Sequence, residues 1–186
     1  MILEDEFRAA SDVLHVVTDD GSYARRGNVC LPLDEMLSAA NLAPSWKNSQ
    51  TPRFYVATGE KSKNAVREAL PEFNRKNSEN ASAYIVTTVV LNRSGFDKDG
   101  TAVTEIGNGW GYYDLGLNNM ALLLKATELG ISTLVMGIRD GEKLRKEFDI
   151  PETEAVVSVI AVGYTDSEIV RPKRKSVEDF AKFYED

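Results

Sequence analysis

A chain of 186 residues with 42% hydrophobic and 27% charged side chains carries enough apolar material for one core, which excludes a disordered polymer and fits a single domain over residues 1–186. Its 22 basic against 29 acidic residues leave a net charge of -7, which argues against a general affinity for nucleic acid or anionic membrane; any bound anion needs a local cluster of cations. One cysteine and one histidine exclude an intrachain disulfide, a multi-cysteine metal centre and every scheme that needs two histidines.

Cys30 lies in the apolar run Val29-Cys30-Leu31 and reads as a small buried filler, and His15 as a helix-end residue. The first ten residues lack a basic start followed by a long apolar stretch, and no apolar run approaches the roughly 20 residues that span a bilayer. The expectation is a soluble cytoplasmic protein with no metal.

In chain order, Leu3, Phe7, Ala10 and Leu14 recur at helical spacing and predict a first helix that fades at Thr18-Asp19-Asp20-Gly21. Pro32, with Asp34 and Glu35 just behind it, announces a second helix that runs to Ala43 and stops at Pro44. Arg53 to Thr58 alternates as a strand, Lys61 to Leu70 is helical, and the β-branched run Tyr84 to Leu91 predicts a buried strand. Leu115, Leu122, Ala126 and Leu129 mark the apolar face of a long helix from Asp114 to Leu129, stopped by Gly130. Ser132 to Ile138 and Ala155 to Tyr164 are further strands. Between them Asp140 caps a short helix carrying Leu144 and Phe148 that ends before Pro151. Ser176-Val177-Glu178-Asp179 resembles a capping box opening a last helix. This order predicts mixed α and β structure around one sheet, without repeats or low-complexity linkers.

Three segments are candidates for chemistry. Ala43-Pro44-Ser45-Trp46-Lys47-Asn48-Ser49-Gln50 joins a helix to a strand, and Ser45, Asn48 and Gln50 offer a hydroxyl and two amides suited to the edge of a heterocycle; its composition also fits an ordinary connection. Gly107-Asn108-Gly109-Trp110-Gly111 lacks the glycine spacing and preceding strand of a dinucleotide motif. With Tyr112 and Tyr113 it reads as a mobile pocket wall or a loop packed by aromatics. Arg171-Pro172-Lys173-Arg174-Lys175 sets four cations before a capped helix start, which suits either a phosphate dianion or a solvated surface.

With Ala43, Pro44, Ser45, Asn48 and Gln50 at their spacing, followed by Phe54 and Tyr55, the sequence resembles the nitroreductase-like flavoproteins, although Thr51-Pro52-Arg53 stands where that family has Pro-Trp. Asp114-Leu115-Gly116, Glu128-Leu129-Gly130-Ile131, Met136-Gly137-Ile138, Ile150-Pro151-Glu152 and Gly163-Tyr164 extend the resemblance over roughly residues 22 to 182. It implies an α+β fold with a central mixed, mostly antiparallel sheet flanked by helices. It further implies FMN as cofactor, NADH or NADPH as electron donor, and a homodimer whose flavin sites are each built from both subunits.

By the same resemblance Ser45 and Asn48 contact the flavin and its ribityl chain, with Pro44 beside them and Gln50 the next candidate. Met136 and Gly137 fall where the backbone approaches the isoalloxazine, and Arg174, then Lys173, takes the phosphate. The family's N-terminal arginine and serine motif maps onto Ser22 and, with a one-residue gap, Arg25, with Arg26 as alternative; without the gap Ala24 stands in the arginine's place. The implied activity is reduction of a nitroaromatic, quinone or similar flat acceptor in a ping-pong cycle, with no side-chain nucleophile. Two alternatives follow: a relative that binds a flat ligand without turnover, and another flavin reaction on the same fold.

Overall fold

The strand at Ala83–Val90, buried at every position but the last, lies inside a four-stranded sheet and is covered on both faces. The computed structural model describes residues 17–18, 25–26, 30–165, 170 and 172–185, with only the backbone at 17–18, 25–26 and 30–31. The elements are β1 (Val17–Thr18), β2 (Arg25–Arg26), α1 (Cys30–Asn41), a 3-10 turn (Trp46–Asn48), β3 (Pro52–Ala57), α2 (Glu60–Glu68), α3 (Glu72–Asn77), β4 (Ala83–Val90), α4 (Gly109–Glu128), β5 (Ser132–Met136), α5 (Gly141–Glu147), β6 (Glu154–Gly163) and α6 (Val177–Phe180). The predicted first helix, His15 and Ser22 lie outside the described residues.

The main sheet has the order β3-β4-β6-β5 with every neighbouring pair antiparallel, while β1 and β2 form a separate short parallel pair. The expected α+β architecture with a mostly antiparallel sheet is therefore present. Side chains of alternate strand residues point to opposite faces, so one strand serves two cores. Tyr84 and Val86 pack with Val66, Leu70, Leu144 and Ile150 beneath α2 and α5. Ala83 and Ile85 pack with Leu33, Met36, Ala40, Leu122 and Ala126 beneath α1 and α4.

On β6 the alternation breaks once. Val156 and Val159, an odd number of positions apart, join the same cluster because the register against β4 shifts between Thr87 and Thr88. Such a bulge turns the following residues over and preserves burial on both sides of it.

Four strands and the helices after Pro32, Glu60 and Asp140 fall where the sequence puts them, with ends moved by a residue or two. Asp140 caps α5 by accepting the Lys143 N–H, and the Ser176 capping box is formed. Two readings need correction. The sequence showed nothing helical between Leu70 and Tyr84, yet Pro71 stops one helix and starts the short, exposed α3. The stretch from Gly109 to Tyr113, read as a loop, is the first turn and more of α4. Its glycines answer to packing: a Cβ on Gly111 would lie 2.8 Å from Val89 Cγ2, so only glycine lets α4 approach β4 this closely. Among the described residues no helix is long and apolar enough to cross a membrane, and no group of three or more His, Cys, Asp or Glu is placed to hold a metal.

Candidate functional site

Where α1 ends, the chain turns through residues 42–51 into β3, and this loop is unusually constrained. Lys47, Asn48 and Gln50 have φ of 46°, 55° and 49°, left-handed values that non-glycine residues adopt at a cost of order 1–3 kcal/mol each, asparagine being the most tolerant. Local bonds hold that geometry. The Gln50 N–H donates to Ser45 Oγ at 3.0 Å, Gln50 Nε2 donates to Asn48 Oδ1 at 3.2 Å, and Arg53 Nη1 donates to the carbonyls of Gln50 and Pro52 at 2.7 and 2.8 Å.

A distant residue anchors the loop from below. Asp114 on α4 is 2% exposed, and both its carboxylate oxygens accept the Trp46 N–H at 3.1 Å; Oδ2 also accepts the hydroxyls of Ser94 and, at 3.5 Å, Ser49. A buried carboxylate is costly without donors, and these supply them. The Trp46 ring packs on Trp110, centroids 4.7 Å apart, and Trp110 Nε1 donates to Thr104 Oγ1. Gly95, at φ 84°, makes room: a Cβ there would lie 2.7 Å from Trp110 Cδ1.

The result is a cavity of about 430 Å³ bordered by Asn41, Ser45, Asn48, Gln50, Arg53, Arg93 and Asn118, with Leu37 and Phe54 as its apolar wall. That volume is within the range of small-molecule and cofactor sites. The lining offers amides, the hydroxyls of Ser45 and Ser49 and two guanidiniums, and no acid among the described residues. It can hold a polar heterocycle or an anion; it has no nucleophile with an adjacent base.

Against this geometry a model of the nitroreductase family matches residues 32–164. The chain belongs to the nitroreductase family. No curated protein matches it. Among solved structures, a putative nitroreductase, ydfN, from Bacillus subtilis superposes with a TM-score of 0.71 at 19% identity, covering 82% of this chain and 87% of the other. A putative nitroreductase from Exiguobacterium sibiricum, in complex with FMN, gives 0.70 at 20% identity, covering 82% and 85%. An oxidoreductase containing FMN gives 0.61 at 25% identity, covering 73% and 67%. These likenesses support a flavin oxidoreductase in general terms.

Within this nitroreductase fold the candidate residues divide into groups. Ser45, Asn48 and Gln50 line the same cavity, and Pro44 lies in the same loop. Met136, 2% exposed, ends β5 at the far edge of the sheet with its side chain in the core under α2 and α5; beside Gly137 a Cβ would meet nothing within 4 Å. The rows that link Met136 through Val159 and Val86 to Tyr55 cross three strand spacings, about 14 Å. Lys173 and Arg174 are exposed and far in sequence from any lining residue, with no bond to another described residue. Arg25 and Arg26 form β2, their side chains outside the description, as is all of Ser22.

Sequence reasoning missed Asp114 as a tether, together with Arg93 and Asn118 as lining. The available signal was an aspartate at helical spacing from Asn118 and Leu122, on a face that the structure buries; it was read instead as a helix start.

Proposed function

We propose that this nitroreductase-family chain is an FMN-dependent oxidoreductase that uses NADH or NADPH to reduce a nitroaromatic, quinone or similar flat acceptor in a ping-pong cycle, as a cytoplasmic homodimer. The observation that carries the reading is the strained, bonded Ser45–Gln50 loop on a cavity of cofactor size lined by hydroxyl, amide and guanidinium groups. The buried Trp46 Nε1, without a partner among the described residues, adds a donor at this loop.

Bound flavin supplies the hydride acceptance and return that this set of side chains lacks. The protein's part is binding and orientation. Ser45 and Asn48 present polar atoms to the ring edge and ribityl chain, Gln50 supports Asn48, and the Asp114 tether keeps all three in place before ligand arrives. Strain at such a loop is consistent with preorganisation.

The spread of candidates supports the dimer. Start of β3 and end of β5 lie at one end of the sheet but on opposite edges, a separation that a site shared between two copies would accommodate. The outer face of α4 carries Tyr113, Met120 and Leu124 at 60%, 53% and 58% exposure, apolar surface of the kind that subunit interfaces bury.

The second reading, a relative that binds a flat ligand without turnover, is favoured by Lys173 and Arg174 being exposed and not among the residues that line the cavity. The visible spectrum of purified protein separates the two, taken before and after addition of FMN and desalting, then with NADPH without oxygen. Retained flavin bands that bleach are the expected result; retained bands that do not bleach favour the binder, and no retained flavin overturns the assignment of Ser45 and Asn48.

A further inference from the structure

Two guanidiniums border the cavity in a chain whose net charge is -7. Arg53 is preset. Its Nη1 is spent on the carbonyls of Gln50 and Pro52, which fixes the guanidinium plane at the start of β3 and leaves Nε and Nη2 for a ligand. In register Arg53 lies opposite Thr88 on β4, and Arg93 follows β4 by three residues, so adjacent strands deliver both cations to the same end of the sheet. The Arg93 main-chain carbonyl accepts the Phe96 N–H at 3.3 Å, while its guanidinium makes no bond to another described residue.

Among the described residues no carboxylate forms an ion pair with either guanidinium; Glu154, which reaches Thr88 opposite Arg53, is taken by the hydroxyls of Tyr55 and Thr88. Of the two carboxylates bonded to this loop, Asp114 is buried behind it with its oxygens taken by Trp46, Ser49 and Ser94, and Asp97 is paired with Lys47 at 3.4 Å. A polar cavity with two guanidiniums and no lining acid favours oxyanions, for which the planar fork of arginine is suited.

We propose that Arg53 and Arg93 form an anion subsite at this cavity, which takes the phosphate or carboxylate oxygens of the ligand held by Ser45, Asn48 and Gln50. With the flavin reading, on which the identity of that ligand rests, the anion has two sources: the cofactor's own phosphate, or a carboxylate on the electron acceptor. The subsite is assigned to neither by the resemblance, which puts the phosphate on Arg174, Lys173 and the N-terminal arginines.

The test compares wild type with R53Q, R93Q, the double variant and R53K. Because the Arg93 side chain makes no bond within the described chain, R93Q reads ligand contact without loosening the loop, and R53K keeps the charge where R53Q does not. If the source is the cofactor, the ratio of FMN to riboflavin affinity, read by flavin fluorescence, falls about tenfold in R93Q and further in the double variant. If it is the acceptor, the ratio of kcat/KM for 4-nitrobenzoate over nitrobenzene falls about tenfold, and the effect shrinks as salt is raised. Both ratios unchanged in the double variant overturn the subsite. Should wild type hold neither FMN nor riboflavin, the flavin reading fails by itself, and calorimetric titration with inorganic phosphate decides the subsite: binding that the double variant loses supports it, and no binding by wild type overturns it.

Discussion

The carboxylate of Asp114 receives the main-chain N–H of Trp46 at 3.1 Å, joining a helix to a loop 68 positions away in sequence. This bond makes the candidate site a property of α4 as much as of its own loop. Both oxygens are used, and the ring stack of Trp46 on Trp110 closes the connection from the other side.

Removing that carboxylate is expected to loosen the loop and the fold together. Asp114→Ala leaves the Trp46 N–H and the Ser94 hydroxyl without an acceptor and costs about 3 kcal/mol; Asp114→Asn, which keeps one carbonyl oxygen, costs less. Urea unfolding monitored by tryptophan fluorescence measures both. Equal stability of Asp114→Ala and wild type would show that the tether is incidental.

Gly111 meets Val89 too closely for any side chain. Gly111→Ala is expected to destabilise by about 1–3 kcal/mol through overpacking, despite the better helix propensity of alanine. Val89→Ala makes a cavity by itself, yet in the double variant the two losses should partly cancel, because each relieves the other. Thermal or urea midpoints of the four proteins give the coupling; strict additivity would count against the close approach.

Met120 and Leu124 stand a turn apart on the exposed face of α4. If a second copy covers them, Met120→Glu with Leu124→Glu halves the molar mass seen by light scattering and removes FMN retention with it. A protein that is monomeric before substitution, or a dimer indifferent to both changes, contradicts the placement of the interface on this helix.

The Tyr55 phenol donates to Glu154 Oε2 at 3.0 Å, and its pKa is raised above the ordinary value of 10.0, first by burial and then by the hydrogen bond and charge of Glu154, with Arg53 and Arg145 opposing. The folded state thus holds this proton more tightly than the unfolded state. Its contribution to stability is complete below the ordinary value and is lost as pH rises through the raised one. The fall in urea midpoint on the alkaline side of pH 10 should therefore be shallower in Tyr55→Phe, and a parallel fall in both proteins would remove Tyr55 from the alkaline transition.

Most of the fold was legible in the sequence because it rests on local periodicity. The β-branched run at 84–91 has no polar alternation, which marks a strand buried on both faces, and β4 serves both cores. Asp140 and Ser176 capped the helices they announced, since a cap bonds within three residues. Ser45, Asn48 and Gln50 were singled out by resemblance, their composition alone also fitting an ordinary connection, and the three line one cavity.

Only the tertiary structure decided the rest, for reasons of distance. Glycines at 109 and 111 lower helix propensity and read as loop, but Ile106 crowds the first and Val89 the second, and packing overrides propensity. Asp114 looks like any helix-start carboxylate until the Trp46 N–H arrives from 68 residues away, and Arg93 looks like any exposed turn residue until pairing of β3 with β4 sets it beside Arg53. Composition and period determine which segments are helix or strand; which polar groups meet at one cavity is set by the strand order and by the helices packed against it, and no local pattern encodes that.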